Sequence, residues 1–278
     1  MAVGYVIVAH HRPAQLLRLA RAIRSGSAGP IVIHLDRRAR RVFAAVEGDL
    51  LALGDVAILA QVAVRWAHFS QVEAELAALE IMLERFPQVS HVQHLTGQCY
   101  PIRPLADFER TVMAGAGKSF VDCVDLPQAG FESLWRHIER VHFVGPRRRV
   151  LALPWSRRLP PRRFAAGSPY WCLARDHARH LLELPAATRG FYRGVLSPDE
   201  VFFQTELRNS DHRDAVVQAD WTWTDWDGDA PSPQLLTSAH AQVLAERPEF
   251  FARKFDESVD AAILDLLDAR LASRGQGR

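Results

Sequence analysis

Between residues 4 and 95, short apolar runs alternate with longer amphipathic stretches, and this alternation restricts the fold more than any other feature of the chain. Residues 4–9 are continuously apolar, as a parallel strand buried on both faces requires. Pro13 follows at a helical position where its missing N–H costs nothing, and Leu16, Leu17, Leu19, Ala20 and Ile23 supply an apolar face. Residues 31–34 read as a strand, 39–46 as a helix and 56–59 as a third strand. A long helix through Leu83 opens on a capping box, Ser70-Gln71-Val72-Glu73, and 91–95 read as a further strand. This order predicts an α/β fold: a doubly wound, mostly parallel sheet flanked by helices. No G-x-G-x-x-G follows the first strand and no G-x-x-x-x-G-K-[ST] occurs, which disfavours a dinucleotide dehydrogenase and a P-loop NTPase.

The second half is less regular. Residues 118–124 and 168–174 read as strands. Between them the arginine-rich stretch 145–166 carries Gly145, Pro146, Pro154, Pro160 and Pro161, which predicts a loop. Ser232 to Glu246 reads as a connector with some helical character. From Ser258, the spacing of Val259, Ile263, Leu266, Leu267 and Leu271 predicts an amphipathic helix, followed by a frayed tail. A chain of 278 residues buries one sizeable core, and the change near residue 105 reads as a change of role within one compact domain.

Net charge is only +2, so a general nucleic-acid binder is not expected. The positive charge is concentrated: nine arginines fall between residues 136 and 163. Three scattered cysteines make no disulfide framework. The absence of a basic leader and of any apolar run of membrane-spanning length leads to the expectation of a cytoplasmic protein.

Four groups of residues can carry chemistry. Arg253 and Lys254 are adjacent cations set between Phe250, Phe251 and Phe255, whose burial would anchor the turn, an arrangement suited to a diphosphate. Ser197-Pro198-Asp199-Glu200 reads as a capped helix start, and Glu200 in a first turn would be held ionised as a general base. Asp225-Trp226-Asp227 is an Asp-x-Asp motif, but it lies late in the chain among Trp221, Trp223 and Trp226, where an aromatic platform for a sugar ring fits better than a metal site. The histidines His10, His11, His34, His68, His91 and His94 show no His-Glu-x-x-His spacing, and no protein metal site is expected.

Five segments occur together in one order: Tyr5-Val6-Ile7-Val8-Ala9-His10-His11 with Ile33-His34-Leu35-Asp36-Arg37; His94-Leu95-Thr96-Gly97-Gln98-Cys99-Tyr100-Pro101-Ile102; Gly167-Ser168-Pro169-Tyr170-Trp171; Ser197-Pro198-Asp199-Glu200 with Phe203 and Thr205; and Phe251-Ala252-Arg253-Lys254-Phe255-Asp256. In register they resemble the Core-2/I-branching N-acetylglucosaminyltransferases and peptide O-xylosyltransferases, in a short, bacterial-type form. The resemblance implies a GT-A-like fold, with residues 1–105 as the nucleotide-sugar half and 106–278 as the acceptor half. It implies inverting transfer from a UDP-sugar without a metal or other cofactor, N-acetylglucosamine being the first choice of sugar and xylose the second. Glu200 would be the base and Arg253 and Lys254 the diphosphate clamp. His10, His34 and Asp36 match segments that line the nucleotide pocket. Trp171, Trp223 and Trp226 are the candidate acceptor or sugar platform. The acceptor would be a glycan, free or lipid-linked. Apart from the resemblance, the arginine-rich stretch reads either as a solvated loop or, through Arg147, Arg148 and Arg149, as a contact with an anionic membrane at the inner face or with an acidic polysaccharide. Two positions depart from the family pattern: Cys99 where Asp is usual, and Trp66-Ala67 where Trp-Gly is common. The rival readings are a metal-dependent sugar-nucleotide enzyme using Asp225 and Asp227, and a non-catalytic carbohydrate-binding protein.

Overall fold

The computed structural model describes residues 1–145, 149–228 and 232–275, and side chains through residue 273. The first half is β1 (Ala2–Ala9), α1 (Pro13–Gly26), β2 (Ile31–Leu35), α2 (Ala44–Leu51), β3 (Val56–Leu59), α3 (Ser70–Arg85) and β4 (Val89–Thr96). After it come β5 (Tyr100–Pro101), α4 (Leu105–Ala114), β6 (Ser119–Val121), β7 (Val124–Leu126), α5 (Glu132–Glu139), β8 (Arg140–Val144), β9 (Val150–Ser156), β10 (Phe164–Ala166) and β11 (Cys172–Ala174). The chain continues through α6 (Arg175–Glu183), α7 (Ala186–Tyr192), α8 (Phe202–Arg208), β12 (Val216–Gln218), β13 (Thr222–Thr224), α9 (Ala241–Glu246), β14 (Phe251–Arg253) and α10 (Ala262–Gly275).

Seven strands form one sheet in the order β12-β6-β11-β4-β1-β2-β3. β11 is antiparallel to both neighbours, and the other described pairs are parallel. Successive side chains of β1 and β2 reach opposite faces. Tyr5, Ile7, Ile31 and Ile33 join a core with α1, α4 and α10, while Val6 and Val32 join a second core with α3, α6 and α8. The expected α/β class with a mostly parallel, helix-flanked sheet is therefore what forms.

Several local expectations are corrected. Ser70 is buried inside the first turn of α3, where its Oγ accepts the Arg65 N–H at 2.8 Å, and Glu73 pairs with Arg193 at 2.7 Å, so the capping box does not close. The helix expected at 39–46 is a short 3-10 turn followed by α2. The expected strand at 118–124 divides into β6 and β7, which join different sheets, and the one expected at 168–174 shrinks to β11. The proline-containing stretch 145–166, expected to be a loop, holds β9 and β10; β9 pairs antiparallel with β8, and β10 with β7. α10 begins at Ala262, and Val259 and Leu266 are exposed instead of facing the core. Among the described residues no helix is long and apolar enough to cross a membrane.

Candidate functional site

A second sheet has the strand order β13-β14-β5, and it is tied to the carboxyl ends of β4 and β1: β5 follows β4 directly, the Gly97 N–H donates to Val8 O and the Phe255 N–H to Gln98 O. The region outside the carboxyl ends of parallel strands is where open α/β sheets bind ligands. Phe250, Phe251 and Phe255 are buried, as their setting predicts. The Phe250 and Phe251 N–H groups both donate to Trp221 O, the Phe255 N–H to Gln98 O, and Lys254 O accepts the Leu236 N–H at 2.9 Å. The cation pair is thereby fixed to the body of the protein. The two side chains nonetheless serve different neighbourhoods. The Arg253 guanidinium carbon lies 5.1 Å from the Tyr170 ring centre, its Nε is buried without a partner, and its charge reaches Asp199, Glu200 and His94. Lys254 Nζ is 3.3 Å from Ser232 Oγ and acts on His11.

The Ser-Pro-Asp-Glu segment is not a capped helix start. Ser197 has φ 48°, makes no side-chain cap, and Pro198–Glu200 form a single 3-10 turn ahead of α8. The turn is held by backbone: the Gly167 N–H donates to Glu200 O at 2.9 Å and the Ser197 N–H to Ala67 O. Ala67 itself has φ 52°, the left-handed region that favours glycine, at the place where the related pattern carries glycine. With no helix N-terminus to favour the anion, burial dominates. It pushes the Glu200 carboxyl up, the Asp199 charge adds to the rise, and Arg253 opposes it. The capped helix start expected to hold Glu200 ionised is therefore absent, and burial favours the protonated carboxyl instead.

Asp199 is buried, accepts a hydrogen bond from Gln71 Nε2 at 2.9 Å through one oxygen, and has no partner for the other. Burial raises it too. Beneath lies Glu75, 3% exposed, raised far above the ordinary carboxylate range by burial and by Asp199. His94, whose burial lowers it to about 4 and keeps it neutral, donates from Nδ1 to Pro169 O at 2.8 Å and brings Nε2 to 3.9 Å from Glu75. Sequence spacing offers no sign of Glu75, and Asp199 is visible only as the residue before Glu200.

The remaining candidates separate. His10 is exposed at the end of β1 and its charge acts on Asp36, so these two do share an edge of the sheet. Asp36 is buried and both its oxygens are taken by Arg38, the nearest contact at 2.7 Å. His34 is wholly buried; its Nε2 accepts the Val62 N–H at 3.2 Å, so it braces the segment after β3 instead of lining an open surface. Trp171 is also wholly buried, packed on Phe203 and donating to Glu75, and therefore offers no platform to an acceptor. Trp223 is half-buried under Arg247, whose guanidinium carbon is 5.1 Å from the ring centre, while Trp226 is 53% exposed. Asp225 turns toward His240 at 3.5 Å and Asp227 is exposed. Among the described residues no three His, Cys, Asp or Glu side chains gather as ligands for an ion. Cys99 is buried, its Sγ accepting the Thr96 N–H at 3.3 Å, in a setting that also feels Arg253 and Asp220. Of the three arginines expected at a membrane, Arg147 and Arg148 lie outside the described residues and Arg149 is exposed.

The family model for the Core-2/I-Branching enzyme matches residues 3–246. The chain is 24% identical to xylosyltransferase sqv-6 of Caenorhabditis elegans over 261 residues, covering 82% of this chain and 31% of that protein. It is 22% identical to a beta-1,3-galactosyl-O-glycosyl-glycoprotein beta-1,6-N-acetylglucosaminyltransferase of Bos taurus, covering 97% of this chain and 69% of that protein. The chain thus spans about a third of the length of the sqv-6 xylosyltransferases it matches. HddC from Yersinia pseudotuberculosis, a solved structure, aligns with 66% of this chain and 80% of its own at 12% identity and a TM-score of 0.36, too distant a likeness to bear on function. With the family model matched across nearly the whole chain, the protein belongs to the Core-2/I-branching enzyme family.

Proposed function

We propose that the protein is an inverting glycosyltransferase that moves a sugar from a UDP-sugar to a hydroxyl of a glycan, free or lipid-linked, without a metal ion. N-acetylglucosamine is the first choice of sugar and xylose the second; the relatives include transferases named for each. The observation that carries the reading is that Arg253, its guanidinium carbon 5.1 Å from the Tyr170 ring centre, lies close enough to Asp199 and Glu200 for its charge to act on both carboxyls. Glu200 accepts the proton of the acceptor hydroxyl as its oxygen bonds to the anomeric carbon. The bond from that carbon to the diphosphate breaks on the opposite face, which inverts the centre. Negative charge then accumulates on the departing UDP, and Arg253 and Lys254, anchored before substrate arrives, are the groups that meet it. Their different neighbours suit a division of labour. Lys254, beside His11, serves the diphosphate on the nucleotide side, and Arg253 serves the leaving oxygen beside the carboxyls. An Asp-x-Asp metal site gains no support from Asp225, which is occupied by His240.

The test is Glu200→Gln, assayed with UDP-N-acetylglucosamine and UDP-xylose against a panel of glycan acceptors. Loss of the base should lower kcat by about 10²–10⁴-fold while UDP binding and melting temperature stay near wild type. Turnover within a few fold of wild type would remove Glu200 from the reaction.

A further inference from the structure

The β8–β9 hairpin carries apolar side chains that neither core uses. Phe143 and Leu151 are direct cross-strand partners, so they share a face, and they are 56% and 64% exposed. Trp155, farther along β9, is 61% exposed, and Val150 at the turn is exposed as well. Large apolar residues grouped this way mark a surface that meets a partner. The base of the hairpin is firmly held. The Arg157 N–H donates to Glu139 O at 2.7 Å, and the Arg157 guanidinium carbon lies 3.7 Å from the Phe191 ring centre while its Nη2 donates to Phe191 O. The His142 N–H donates to Gly194 O and the Leu196 N–H to His137 O, so the hairpin is tied to the segment that leads directly into the Ser197–Glu200 turn.

Charge identifies the partner. Residues 136–163 hold nine arginines and one acid, Glu139, in a chain whose net charge is +2, so the rest of the protein is net acidic. Arg149, just before β9, and Arg158, just after it, are exposed. An RNA would use the arginines but has no need of Leu151 beside Phe143. An apolar protein groove would use the latter but has no need of so many cations. Only an anionic bilayer interface uses both: headgroups for the guanidinium groups, and the acyl boundary for aromatic and aliphatic side chains.

We propose that the β8–β9 hairpin docks the protein on an anionic phospholipid bilayer, Phe143, Leu151 and Trp155 entering the interface and Arg149 and Arg158 binding headgroup phosphates. Docking would bring the Glu200 turn toward an acceptor carried by a lipid. Only that consequence rests on the glycosyl-transfer reading, because vesicle binding needs no turnover.

Flotation of the full chain with vesicles of phosphatidylcholine, and with vesicles that also contain phosphatidylglycerol, tests the proposal at low and high salt. The wild type should float with the anionic vesicles, less so as salt screens the headgroups. Phe143→Ser with Leu151→Ser should reduce partitioning about tenfold or more, since two apolar side chains no longer leave water. Arg149→Ser with Arg158→Ser should reduce it several-fold per charge. Both variants change exposed residues, and an unchanged melting temperature and unchanged transfer to a small soluble acceptor would show that fold and chemistry are intact. Failure of the wild type to float with anionic vesicles overturns the proposal, and so does undiminished partitioning of the Phe143/Leu151 variant. Retention of an RNA homopolymer by that variant, with vesicles ignored, would assign the arginines to nucleic acid instead. None of these outcomes bears on Glu200, whose test is independent.

Discussion

At the scale of single residues, the site is governed by which carboxyl group holds a proton. Glu200 and Asp199 are neighbours in sequence, Asp199 buried and Glu200 half-buried, and both are raised by the loss of water around them, with the Asp199 charge raising Glu200 further. A base raised in this way ionises late, so kcat/KM should climb with pH through an acid limb above the ordinary carboxylate range. Asp199→Asn keeps an oxygen for Gln71 while removing the neighbouring charge, and should move that limb to lower pH. A purely structural role for Asp199 would lower activity and leave the limb in place. The sequence allows Glu200 to be picked out from its place in a motif, but not its protonation. Proximity to Asp199 is written in the chain, whereas Glu75, Arg253 and the loss of water around them depend on segments more than forty residues away.

At the scale of elements, the strands and helices up to Thr96 are largely legible because periodicity there reflects burial on one or both faces of a central sheet. Capping is not. Ser70 and Ser197 each precede a glutamate by three residues, yet both serines are drawn into other contacts: Ser70 to Arg65, and Ser197 into a left-handed turn closed by Ala67. The β8–β9 pair escapes sequence reading because its prolines and arginines resemble a loop and little of it faces a core. The turn bearing Glu200 depends on a close backbone approach at Gly167, where an added Cβ would lie 2.1 Å from Asp122 O. Gly167→Ala should therefore displace the segment whose Gly167 and Ser168 N–H groups donate to Glu200 O and the Asp122 carboxylate. A stability loss of about 1–3 kcal/mol by denaturant unfolding is expected, with a larger fall in activity than that loss explains. Wild-type stability and activity in this variant would mean the approach is not required.

At the scale of the molecule, buried titratable groups connect the site to folding. Glu75 is protonated in the folded state well above the pH at which it ionises in an unfolded chain. The folded protein therefore binds more protons there, and this residue's contribution to stability falls as pH rises above its ordinary value of 4.5. Glu75→Gln removes the titration and keeps an oxygen for the Trp171 indole N–H. Its stability relative to wild type should grow with pH, by up to roughly 1.4 kcal/mol per pH unit, in melts between pH 5 and pH 8. A difference that does not vary with pH would show that Glu75 is charged in its buried setting. The general architecture, a mostly parallel sheet flanked by helices, follows from the order of strands and helices, and the small sheet that carries Arg253 does not.

The proposal of metal-free donor binding meets its most direct test in a calorimetric titration of UDP into the protein in the presence of EDTA. Binding should persist in EDTA, and Arg253→Ala and Lys254→Ala should each weaken it by about 1.5–3 kcal/mol, the worth of a charge-assisted contact. UDP binding that requires a divalent ion, or that both variants leave unchanged, would contradict it.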